Sequence, residues 1–318
     1  MNLQLEQRLM IFGGFIPGII SLLGLIAAWY IHSRKLSRKD IEDSGDKRTA
    51  SVGPRWMLPL MLAIGFAYAD YSFNYRIHLW PDGNNYRFVH AIVLIAIVGI
   101  LEGFIALPML AAFALRFLAY AGAFWMLAEG YTETVFGNLP TFIGSTLFAG
   151  LASAVIATVL DRSSEDNRSQ NNRAWVDLIP WIVIAGVSMP VLLKNSFSIG
   201  AMIPVGIIAV LISTFITSLI FRSFCIARGG VTVLIGFLLT MLTGSIIQTG
   251  AVYLPSLLLL ALAPMVSLIP IRTKSGVRLL LARMILLVII LGTSIGTIYW
   301  SLGNDQQASD EVDPYADY

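Results

Sequence analysis

Charge is what this sequence has least of. Asp, Glu, Lys and Arg together make 13% of its 318 residues, about half the share of an ordinary soluble domain. No polar stretch is long enough to fold as a soluble domain of its own, which takes at least about fifty residues. Cysteine is nearly missing: Cys225 alone excludes an intrachain disulfide and a four-cysteine metal site. The three histidines, His32, His78 and His90, are scattered and make no HExxH spacing. There is no GxSxG and no acid pair or His/Asp dyad at helical spacing, so catalysis has little to stand on and no cofactor is expected. The net charge of +2 gives no ground for a nucleic-acid partner.

What fills the chain instead is apolar sequence, 57% of residues, with a mean hydropathy of +0.76. Runs of eighteen or more apolar residues recur along it, each long enough for a hydrocarbon core of about 30 Å. The expected spans fall at 10–31, 56–71, 89–128 (two spans joined at Pro108), 141–160, 175–193, 198–221, 231–248, 253–271 and 276–301, the second of them shorter at 16 residues. The expected fold is all-α: a polytopic integral membrane protein of about ten transmembrane helices over 1–302, with no soluble domain. The basic loop 32–55 and the mixed-charge loop 161–174 interrupt it, and residues 303–318 read as an acidic disordered tail. A cleaved signal peptide is the competing reading of 10–31, but that run is longer than the usual 7–15 apolar residues and its basic cluster follows rather than precedes it.

Orientation follows from the bases. With alternating sides, the loops 32–55, 161–174, 222–230 and 272–283 share one face and hold seven, three, two and four of the 21 Lys and Arg. The other face has Arg8, Arg76, Arg87 and Lys194. Short loops rich in bases stay in the cytoplasm, which predicts an inner or plasma membrane protein with both termini outside. Five spans on each side of loop 161–174 would suit an inverted repeat, but the charged residues of the first half have no counterparts in the second.

The stretch 89–128 carries one acid, Glu102, and one base, Arg116, at comparable distances from Pro108. Both lie roughly 9–12 Å from the bend at 1.5 Å per residue. A charge at that depth needs a partner or a water-filled cavity, so the two are expected to face each other, as a transport site or as a structural clamp. Gly99 and Gly103 bracket Glu102 as a GxxxG face, and Gly14 and Gly18 form another; such faces let a second backbone approach. Ser213/Thr217 and Thr214/Ser218 are i, i+4 pairs that make a polar stripe in an apolar span; such a stripe lines a pore or bonds a neighbouring helix. Asp70, His78, Asp82 and His90 form the one candidate metal or acid/base cluster, with ordinary loop polarity as the simpler account.

Three classes of function are compatible with this pattern. A small-solute or ion transporter using Glu102, Arg116, Ser213 and Thr217 comes first. A structural subunit of a membrane complex, joined to other membrane subunits through its GxxxG faces, is the alternative, and a lipid-modifying enzyme embedded in the bilayer comes third. In every case the lipid bilayer is the primary partner.

Overall fold

The computed structural model describes residues 5–42, 54–74, 87–105, 107–169, 174–195, 201–221, 224–249, 253–268 and 276–310. Among them there is no strand. That is what a hydrocarbon solvent demands, because a helix satisfies its own backbone donors and acceptors where water cannot. The principal helices are α1 (Ile16–Glu42), α2 (Met57–Asn74), α3 (Arg87–Phe104), α4 (Met109–Ala128), α5 (Leu139–Ser169), α6 (Trp175–Lys194), α7 (Pro204–Ile220), α8 (Gly230–Thr249), α9 (Leu254–Leu262) and α10 (Gly276–Asp310).

Among the described residues, seven helical stretches are long and apolar enough to cross a membrane: Leu9–Arg34, Arg87–Phe104, Met109–Phe136, Leu139–Glu165, Trp175–Lys194, Gly230–Ile247 and Gly276–Ser301. The other three expected stretches are helical too, but fall outside that set. Pro204–Ile220 and Leu254–Leu268 are shorter, and α2 ends in the polar run Asp70 to Asn74. In the second of these the α-helix tightens into a 3₁₀ segment, Ala263–Leu268; Pro264 there has no N–H to continue the i→i−4 ladder.

Local irregularity at the start has a similar cause. Leu9–Phe15 is π-helical ahead of Pro17, where a donor is lost and the helix repacks around a wider turn. From this segment into α1 the chain buries Gly13, Pro17, Ser21, Leu25 and Trp29, one residue in four. Three helices run further than expected, among them α5, which continues into the mixed-charge loop to Ser169. α1 continues into the basic loop as far as Glu42, and α10 extends to Asp310, inside the stretch expected to be a disordered tail; residues 311–318 lie outside the described residues.

The bundle is organised around α8. Its apolar stretch Gly230–Ile247 is 83% buried within the protein, against 22–56% for the other six. It packs on α2, α3, α4 and α5, while α7 packs on α1, α2 and α6, and α10 on α6 and α9. α3 and α4 are antiparallel neighbours joined at Pro108, whose extended backbone (φ −56°, ψ 147°) starts α4. Close approach at this centre depends on glycine. A Cβ on Gly103 would lie 2.5 Å from the Trp56 backbone, and one on Gly99 2.9 Å from the Gly229 carbonyl oxygen. The second GxxxG face, Gly14 and Gly18, receives Val205 and Ala209 of α7.

Candidate functional site: a charged pocket at the tip of the hairpin

The two charges of the hairpin meet. Arg116 Nε donates to Glu102 Oε1 at 2.7 Å, and Arg116 Nη2 donates to Glu102 Oε2 at 2.8 Å. This is the parallel fork geometry that makes Arg–carboxylate pairs strong. Both residues are almost wholly buried, at 3% and 2% exposure. Burying an ion costs several kcal/mol, which a good partner and further hydrogen bonds must offset, and the surroundings supply them. Thr232 of α8 donates to Glu102 Oε2 at 2.7 Å. Arg116 reaches α5 through Thr158 Oγ1 at 3.2 Å and Asp161 Oδ2 at 2.9 Å.

From Asp161 the network runs outward. The backbone N–H of Arg228 donates to Asp161 Oδ1, and Arg228 Nε donates to Glu165 Oε1 at 2.9 Å. Arg55, just before α2, donates to the same oxygen at 2.9 Å. One chain of charges thus joins α3, α4, α5, the segment before α8 and the segment before α2. Arg228 itself is left-handed, with φ +57°, followed by Gly229 at +84°. A non-glycine residue in that region carries local strain, a feature that concentrates at functional sites.

Beside the network lies a pocket of about 230 Å³, open at its rim. Its charged wall is Glu102, Arg116, Asp161, Arg162, Glu165 and Arg228, and its apolar wall is Ile105, Leu107, Met109 and Ala112 from the hairpin turn. That volume is below the roughly 300–1,000 Å³ of pockets for drug-sized ligands and has room for about seven waters at 30 Å³ each.

Ser213 and Thr217 are elsewhere. The Ser213 hydroxyl donates to Gly18 O at 2.8 Å and Ala209 O at 2.9 Å, and Thr217 donates to Ser213 O at 2.8 Å. Thr214 and Ser218 likewise bond carbonyls of their own helix. All four are buried, and none lines the charged pocket. The stripe is where α7 meets α1, its hydroxyls satisfied by backbone as Ser and Thr in membrane helices commonly are. Of the candidate metal or acid/base cluster, Asp70 is buried in α2 and His90 sits on α3, while His78 and Asp82 lie outside the described residues.

Sequence reasoning missed Thr158, Asp161, Glu165, Arg228 and Thr232, and it missed a second buried pair. Arg283 Nη1 donates to Asp177 Oδ1 at 2.7 Å, and Arg283 Nη2 to Ser267 O at 2.8 Å. Arg283 had been counted with the bases of the loop 272–283 and Asp177 was not singled out; both are buried on helices. A signal was present for the first group. Thr158, Asp161, Arg162 and Glu165 have the i, i+3, i+4, i+7 spacing of one helix face.

Comparison of this chain with protein-family models, with curated proteins and with solved structures gives no match.

Proposed function

We propose that this chain is a permease-like multi-pass membrane protein for a small solute or ion, and that its binding site is the pocket bounded by Glu102, Arg116, Asp161 and Arg228. The observation that carries this reading is that a nearly fully buried ion pair forms the wall of an open space rather than being packed on every side. Ionisable groups within spans are by default functional sites, and polar groups at membrane depth are tolerated where they line a cavity. In this reading the chain crosses the inner or plasma membrane ten times, with the network at the cytoplasmic face and both termini outside. The transport route runs through the hairpin and not along Ser213 and Thr217.

A structural subunit is the second reading, favoured by the way Glu102 and Asp161 are engaged by arginine, as a clamp requires. Access separates the two. A cysteine at Ala112, a pocket residue outside the ionic network, is placed in a Cys225→Ser background and exposed to a charged thiol reagent on either side of oriented vesicles. A permease must open its site to each side in turn, so labelling from both faces is expected. Labelling from one face alone would overturn transport in favour of the clamp.

A further inference from the structure

We infer that the ligand of this pocket carries a phosphate group. The inference rests on the pocket being the binding site but not on its transporting anything.

The argument is a count of unused donors and acceptors. Both oxygens of Glu102 and both of Asp161 accept bonds from arginine or threonine, and Glu165 accepts from two arginines at Oε1, which leaves its Oε2 as the one carboxylate oxygen here with no bond to a described residue. The carboxylates therefore have little left to offer a cation. The pocket wall holds three arginines, Arg116, Arg162 and Arg228, against three acids, and Arg55 behind it bonds Glu165 and brings the network to four against three. Arg162, exposed at the pocket wall, makes no ion pair or hydrogen bond with any described residue. Arg228 uses its backbone N–H and Nε, which leaves both terminal amines free among the described residues. Its left-handed backbone adds weight, since a glycine there would be unstrained but would bring no guanidinium to the wall.

Two forked guanidinium groups beside a space of about 230 Å³ match the oxygens of a phosphate. Such a phosphate has two sources, inorganic phosphate or the headgroup of an anionic phospholipid. The opposite wall bears on the choice. Ile105 and Met109 are 54% and 65% exposed at the rim, which is suitable for an acyl chain.

The test uses the full-length protein in nanodiscs of zwitterionic lipid. One arm titrates inorganic phosphate by calorimetry; the other adds phosphatidylglycerol and measures its retention by native mass spectrometry. Arg162→Gln and Arg228→Gly are compared with the native chain, with Arg162→Lys as the conservative control and thermal unfolding to confirm folding. Saturable binding in either arm, weakened about tenfold by Arg162→Gln, as for loss of a charged hydrogen bond, and partly restored by Arg162→Lys, supports the inference; the arm that responds names the source. No binding in either arm, or binding unchanged in both folded variants, overturns it. Two-sided access at residue 112 without phosphate binding would retain the permease and refute the anion. Phosphate binding with one-sided access would retain the anion and refute the permease.

Discussion

The Glu102–Arg116 pair offers the sharpest test of the physics, because its third partner makes the two ends unequal. Arg116→Met removes the cation shared by Glu102 and Asp161, leaving two acids with only Thr232 and the Arg228 N–H. Stranding a buried charge costs about 3–5 kcal/mol. Glu102→Gln is milder, since Arg116 keeps Asp161 at 2.9 Å. It removes charge-assisted bonds from a site of the same shape, at about 1.5–3 kcal/mol. If the effects were independent, the double variant would lose about 4.5–8 kcal/mol. If the two charges hold each other, the double variant loses no more than Arg116→Met alone, because the carboxylate stranded by that change is no longer there.

Thermal unfolding in detergent, followed by the fluorescence of the seven tryptophans, resolves these cases. At roughly 2 °C per kcal/mol for a chain of this size, Arg116→Met lowers the midpoint by about 6–10 °C and Glu102→Gln by about 3–6 °C. The double variant falls within the range of Arg116→Met. Adding Asp161→Asn to the double variant raises the midpoint again, because the last uncompensated carboxylate is then neutral. A double variant at the sum of the singles would refute the reasoning.

The second buried pair behaves in the same way: Arg283→Met removes the guanidinium that pairs with buried Asp177 and lowers the unfolding midpoint by several degrees, whereas Leu281→Ala, on the exposed side of α10, barely changes it. Packing at the hairpin is tested by two glycines. Gly103→Ala pushes a methyl to 2.5 Å from the Trp56 backbone and lowers the midpoint by several degrees, while Gly144→Ala, with nothing within 4 Å, leaves it unchanged or raises it, since Ala gains about 0.5–1 kcal/mol over Gly inside a helix.

Much of this fold is legible from periodicity and run length, and the hairpin most of all. A forty-residue apolar stretch with one proline has few ways to sit in a bilayer, and two opposite charges at matched depth in it have one good partner each. What run length cannot convey is which helices are neighbours. Thr232 lies 130 residues from Glu102, and only the packing of α8 into the centre brings it there. The subtler loss came from ending the helices where hydrophobicity ends. Asp161, Arg162 and Glu165 were assigned to a loop because they are polar, yet α5 continues to Ser169 and carries them on the face that starts with Thr158. Arg283 was counted as a cytoplasmic base for the same reason. On α10 it occupies the buried stripe Leu279, Arg283, Leu287, Leu291, in step at every fourth residue. Removing it from the charge count leaves the asymmetry between the two faces pointing the same way. A charge in phase with an apolar stripe should therefore be read as buried and paired, even at the edge of the apolar run, because the helix keeps its 3.6-residue period after the composition changes. Applied to this sequence, that rule separates buried Arg283 from its exposed neighbour Arg278, while the same period puts Thr158, Asp161, Arg162 and Glu165 on the face of α5 beside its buried stripe, with Arg162 exposed.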